Sequence, residues 1–312
     1  MAVNFAISYR RLKIKQSTCS ILNDCSLFPV YRDNDSNSNS RSRELMRKSH
    51  FFRHHLFCIV CILAIIPLSL QAQSSHFQEG MKWYEQRAAE ADSFRAESGN
   101  INKAIEAFEK AYEQDEQPRQ AGLFLLKSYY FKGMFLGLDE GSQKEIYDKG
   151  RDLGKKLEER YPETVEIKFW YAANLGRWAK VHGFVAAATS GVAKKVRNLG
   201  EEIIALDKQY QGGGGYRILA QAHFHAPKIP LLMGWPSDRE ALELVGKAME
   251  ISPEHPTNRL LYAEILMSFD RKQEARKHLE YIMKMEPRPD YLIPDRYVKY
   301  RAEQLLQKSF EV

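Results

Sequence analysis

The sequence predicts an all-α protein, a tetratricopeptide-like stack of antiparallel helix pairs (an α-solenoid), on three observations. Apolar residues recur at a fixed displacement, prolines follow the recurring sets, and no β-rich stretch competes with them. Ala241, Val245, Ala248 and Pro253 return as Ala275, Leu279, Ile282 and Pro287, each displaced by 34 residues. Offsets of 0, 4, 7 and 12 within each set place three apolar residues on one helical face and a proline just past the helix end. This displacement is the tetratricopeptide length.

Taken in chain order, Met81 to Phe94 forms a first helix and Ala104, Phe108 and Ala111 carry its partner, with Pro118 displaced by two from the expected spacing. Ala121 to Phe131 pairs with the helix that bears Gly150, Gly154, Leu157 and Pro162. Ile167 to Ala179 opens a third pair. Between Trp178 and Gln209 the period fails, so an irregular inserted helical segment is expected near 180–210, including a further helix from Val192 to Tyr210. Its small, apolar lead-in, Gly183 to Gly191, suits a close helix crossing, a helical hairpin or a packing face for another subunit. Tyr216 to Phe224 precedes the Ala241 helix, and Asn258 to Phe269 precedes the Ala275 helix. Asp139, Pro236-Ser237-Asp238 and Phe269-Asp270 supply caps or turns between them.

The front of the chain reads as an address. Met46 opens a basic stretch with Arg47, Lys48 and Arg53, followed by an apolar run from Leu56 to Leu70 and a small residue, Ala72. The run of 15 residues falls short of the roughly 20 that a spanning helix needs, which favours a cleaved export signal over 46–72. The competing reading is an uncleaved signal that anchors the protein in the inner membrane. Residues 1–45 end in a polar Asp-Asn-Ser tract that cannot bury a core and are expected to be disordered, or to lie upstream of a true start at Met46. The repeat domain then spans 73–312.

Charge and cysteine usage exclude several function classes. The formal charge is +6, but residues 1–72 hold 10 Lys+Arg against 4 Asp+Glu, which leaves 36 of each sign in the remainder. A neutral domain with interspersed signs has no long-range field for a phosphate backbone, so no nucleic-acid partner is expected. Cys19, Cys25, Cys58 and Cys61 all precede residue 73, so the expected mature domain lacks thiol chemistry and suits an oxidising compartment. Lipid attachment is not expected, because Cys58 and Cys61 lie inside the apolar run.

No grouping of Ser, His and Asp, no metal-ligand spacing and no facing acid pair stands out, so neither an enzyme, a metal site nor a cofactor is expected. Gly212 to Gly215 lacks the Lys-Ser/Thr of a phosphate loop and reads as a flexible joint. His223 and His225 lie two apart on a helix and point to different faces, which favours packing over chelation. Two aromatic-rich stretches remain, Phe169 to Trp178 and His223 to Trp235, and they are expected to build one cleft. In the first, Trp170, Asn174 and Trp178 form an i, i+4, i+8 stripe with an amide between indoles, either a ligand surface or a core stripe.

At these stretches the sequence resembles the T component associated with tripartite ATP-independent periplasmic (TRAP) transporters. The matching residues are Trp170 to Gly176, the glycine run with Tyr216-Arg217, Ala226-Pro227, Pro230 and the Ala241 to Pro253 helix, within residues 77–290. The resemblance implies a periplasmic helical-repeat protein that self-associates, pairs with a solute-binding protein and handles a small apolar carboxylate. Trp170, Tyr171, Asn174, Trp178, Gly214, Tyr216, Arg217 and Trp235 are the expected ligand or partner surface. A structural interaction module of an envelope assembly is the alternative, and a glycan-processing hydrolase the second, which would require two carboxylates facing one another across the cleft.

Overall fold

The computed structural model describes residues 75–89, 91, 93–226 and 235–310. The expected export signal over 46–72, the four cysteines and the part of the second aromatic stretch between 227 and 234 lie outside the described residues. Among the described residues there are twelve α-helices and no strand. They are α1 (His76–Glu85), α2 (Ser98–Glu113), α3 (Pro118–Phe135), α4 (Glu140–Arg160), α5 (Val165–His182), α6 (Phe184–Thr189), α7 (Val192–Asp207), α8 (Tyr210–His225), α9 (Asp238–Ile251), α10 (Pro256–Ser268), α11 (Lys272–Lys284) and α12 (Leu292–Phe310), with a 3-10 turn at Pro289–Tyr291.

The 34-residue sets occupy the positions their spacing demands. Ala241, Val245 and Ala248 of α9 and Ala275, Leu279 and Ile282 of α11 are all fully buried, as are Ala104, Phe108 and Ala111 of α2. Each such helix turns one apolar stripe inward and leaves i, i+4 ion pairs such as Arg276–Glu280 in solvent. On α4 two of the stripe positions are glycines. A Cβ on Gly154 would lie 2.1 Å from the Tyr171 ring, so the bare backbone there lets α5 approach closely. Asp139 caps α4 by accepting from Ser142 N at 3.0 Å, and Ser237 caps α9 by accepting from Glu240 N at 3.3 Å. Pro118 and Pro256 stand in the first turns of α3 and α10, where a missing N–H costs nothing.

Sequential helices pack as antiparallel neighbours, and α3, α5, α8, α10 and α12 also touch one another in succession. These alternate helices form an inner layer, while α2, α4, α7, α9 and α11 form the outer one. The interrupted period resolves into a small insertion. Helix α7 serves as the outer partner of α5, and the surplus residues form the one-and-a-half-turn helix α6. The expected helix over 192–210 ends at Asp207, and the first helix ends at Glu85 instead of Phe94. Beyond the shortened first helix, Phe94 stacks on Tyr300 of α12, 4.3 Å between ring centroids.

Helix α12 was not foreseen as an element, and it joins the two ends of the array. Ile293 is fully buried within the same core cluster as Ala96, Phe131 and Phe135. Tyr297 meets Phe94 and Phe135 at 5.8 and 5.9 Å, and Arg296 donates to the Ala91 carbonyl at 2.9 Å. Arg87 reaches the Asp290 carbonyl at 3.1 Å. The C-terminal segment thus packs against the connection between α1 and α2 and against the end of α3.

Candidate functional site

The expected surface residues divide into posts inside the scaffold and groups that face the inner layer. Asn174 is fully buried and donates to the Leu126 carbonyl at 3.0 Å and to the Trp170 carbonyl at 2.8 Å, which ties α5 to α3. Its Oδ1 lies where a Cβ on Gly150 would sit and has no hydrogen-bond partner. Trp178, also buried, donates its indole N–H to Asp148 at 2.6 Å and stacks on His182. Tyr171 is buried against Gly154, and burial pushes its phenol up to about 12. The i, i+4, i+8 stripe is therefore a seam between helices, with its amide spent on backbone carbonyls.

Trp170 behaves differently. Half-buried, it meets Tyr130 of α3 edge-on at 5.5 Å and Phe169 at 5.4 Å, while Phe169 meets Tyr210 of α8 at 5.4 Å. Gly214 lies beneath the Phe169 ring, 2.6 Å from the place its Cβ would take, and Arg217 lies over the same ring at 5.8 Å. Trp170, Gly214 and Arg217 are thus brought together through Phe169. Tyr216, half-buried near Lys247, and Trp235, edge-on to His223 at 4.2 Å and beside Arg197, sit elsewhere. Among the described residues nothing joins Trp235 to Trp170.

The glycine run is a packed turn that brings the start of α8 close to α9. Gln211, Gly212 and Gly213 adopt left-handed backbone with φ of 51°, 62° and 81°. A Cβ on Gly213 would lie 2.9 Å from the Ala248 backbone, so only glycine satisfies both the conformation and the contact with α9. Asn258 of α10 locks this turn. Fully buried, it donates to the carbonyls of Gly212 at 2.9 Å and Ala248 at 3.0 Å, and its Oδ1 accepts from Arg217 at 2.6 Å. Arg217 also donates to the Gln211 carbonyl at 3.2 Å.

No carboxylate pairs with Arg217 among the described residues, and burial lowers its guanidinium to about 10. Burial likewise, helped by the charges of Arg217 and Arg288, holds His255 at about 3, so this imidazole is neutral at ordinary pH. Asn258, His255, Tyr130 and Tyr210 escaped sequence reasoning. Only Asn258 carried a signal, as a polar residue within an otherwise apolar first-helix face.

A cavity of about 180 Å³ opens between the end of α1 and the segment that leads into α12, lined by Arg87, Ala88, Phe131, Asp290, Leu292 and Ile293 among others. Among the described residues no group of three or more His, Cys, Asp or Glu side chains is placed to hold a metal ion. Among them also, no helix is long and apolar enough to cross a membrane.

A tetratricopeptide-repeat protein of Thermus thermophilus, TTC0263, superposes with a TM-score of 0.50 at 15% identity, covering 74% of this chain and 97% of that one. Yeast Tom70 superposes with a TM-score of 0.42 at 16% identity, over 78% of this chain and 43% of its own. A search of curated proteins found no match. The family described as TRAP transporter T-component matches residues 83–312. With a match over most of its length and an all-helical array of paired helices, the chain belongs to the TRAP transporter T-component family.

Proposed function

We propose that the protein is a non-catalytic helical scaffold of a TRAP-type transport system, exported to the periplasm, where it pairs with the system's solute-binding protein. The observation that carries this reading is the inner layer. Five helices far apart in sequence, α3, α5, α8, α10 and α12, touch in succession along one side of the array, and α12 also packs Ile293 into the core shared with Ala96 and Phe135. Rigid, pre-formed surfaces of this kind bind partners without the ordering cost that a flexible segment incurs. Of the expected surface residues, Trp170, Tyr216 and Trp235 keep partial exposure, and we assign partner or ligand contact to them. The buried Asn174, Tyr171, Trp178, Gly214 and Arg217 brace the helices around Trp170.

The test is affinity purification of the tagged protein from a periplasmic extract, with native mass spectrometry of the eluate. A solute-binding protein in stoichiometric amount and an N-terminus at Gln73 are expected, and the same spectrum reports the subunit number. Recovery in the cytosolic fraction, or no interaction with the transporter's purified solute-binding protein at about 10 µM of each, overturns the reading.

A further inference from the structure

Three charged side chains surround the cavity between the end of α1 and the segment that leads into α12, and none of them is neutralised. Glu85 closes α1, Arg87 lies in the turn that follows, and Asp290 stands in the 3-10 turn ahead of α12. Among the described residues none of the three forms an ion pair, either with the others or with a neighbour. Arg87 spends part of its N–H fork on backbone, donating to the Tyr84 carbonyl at 2.8 Å and to the Asp290 carbonyl at 3.1 Å. Its guanidinium lies over the Tyr84 ring at 4.2 Å and the Phe131 ring at 5.4 Å, so it is held in place before anything binds.

We infer that this cavity is a binding site for a single amino acid with an apolar side chain, taken in its zwitterionic form. Phe131 and Ile293, both buried, present apolar surface to the cavity, and Pro289 and Pro294 add walls that carry no backbone N–H. The volume is about 180 Å³, and a cavity of about 150 Å³ already holds one benzene ring. There is room for one side chain of leucine or phenylalanine size and not for a peptide. Glu85 and Asp290 are exposed and Arg87 is half-buried, so the charges are open to a ligand's polar end. A guanidinium takes a carboxylate through paired N–H bonds, and carboxylates accept from an ammonium.

The mixture of signs decides the ligand class. A simple carboxylate would meet Arg87 but be repelled by Glu85 and Asp290, and a simple amine would meet the two acids but be repelled by Arg87. A ligand that carries both charges on one carbon finds a complement for each. None of Trp170, Tyr216 and Trp235 lines the cavity, so the inference does not rest on the partner contact assigned to them.

The test is isothermal titration calorimetry of the purified protein with leucine and phenylalanine. Two halves of leucine serve as controls, 4-methylpentanoate without the ammonium and 3-methylbutylamine without the carboxylate. At least one of the amino acids is expected to bind with a Kd between about 10 µM and 1 mM, and each half at least about 5-fold more weakly than leucine. Glu85→Gln combined with Asp290→Asn, at two exposed positions, is expected to weaken the amino acid about 3- to 10-fold with no change in thermal midpoint. Arg87→Gln is expected to weaken it about 10-fold or more. Ala88→Leu fills the cavity and is expected to abolish binding, whereas Trp170→Ala is expected to keep the parental affinity. No heat from either amino acid at about 5 mM, or 4-methylpentanoate binding as tightly as leucine, overturns the inference. So does parental affinity in the Glu85 and Asp290 double variant or in Ala88→Leu.

Discussion

Asn258 offers the sharpest test of how the inner layer is held. Replacing it by Ala removes donation to the Gly212 and Ala248 carbonyls and strips Arg217 of the oxygen it reaches at 2.6 Å. Two neutral hydrogen bonds contribute about 1 kcal/mol each, and the bond to a charged donor about 2 kcal/mol, so Asn258→Ala is expected to cost about 4 kcal/mol. In a domain of this size that corresponds to roughly 10 °C in thermal midpoint. Urea unfolding followed by far-UV circular dichroism measures it. Because much of the cost is the stranded guanidinium, Arg217→Met in the same chain is expected to recover at least about 1 kcal/mol in a double-mutant cycle. A single-mutant loss below about 1 kcal/mol, or strict additivity, would show that the left-handed turn holds without this knot.

Gly154→Ala places a methyl 2.1 Å from the Tyr171 ring and is expected to cost about 1–3 kcal/mol by overpacking, partly recovered by Tyr171→Leu, as read by thermal denaturation. Ile293→Ala is expected to cost about 2–4 kcal/mol and to raise amide exchange in residues 93–97, at the opposite end of the described chain, as measured by hydrogen-exchange mass spectrometry. For His255 the folded-state pKa of about 3 lies below the ordinary 6.5, so the unfolded chain takes up the proton first. Its share of stability is complete above about pH 6.5 and is lost as pH falls towards 3; the gap sets an upper bound of about 5 kcal/mol, which partial solvent access reduces. His255→Gln is expected to flatten that part of the pH–stability curve between about pH 6 and 4.

The period was legible in the sequence because it records a local rule: Ala241, Val245 and Ala248 must face a neighbour at every repeat, whatever the rest of the chain does. The pairing of α9 with α8 and of α11 with α10 follows from that rule alone. The role of Arg217 was not legible in this way. Its partner Asn258 lies two helices later, and the turn it braces includes Gln211, a residue whose positive φ no propensity predicts. The stripe of Trp170, Asn174 and Trp178 had two readings from the start, and the choice depended on what α3 and α4 bring to it. Leu126 and Asp148 supply the acceptors that make it a seam.

Most helical arrays can gain or lose a unit, because each unit recognises only the one before and the one after. Here Ile293 and Arg296 must find residues 91 to 135 across all the pairs between, so the number of pairs determines whether they arrive. Deleting one hairpin would do more than shorten the protein. It would draw α12 away from residues 91 to 135 and leave its apolar side as a new, sticky surface.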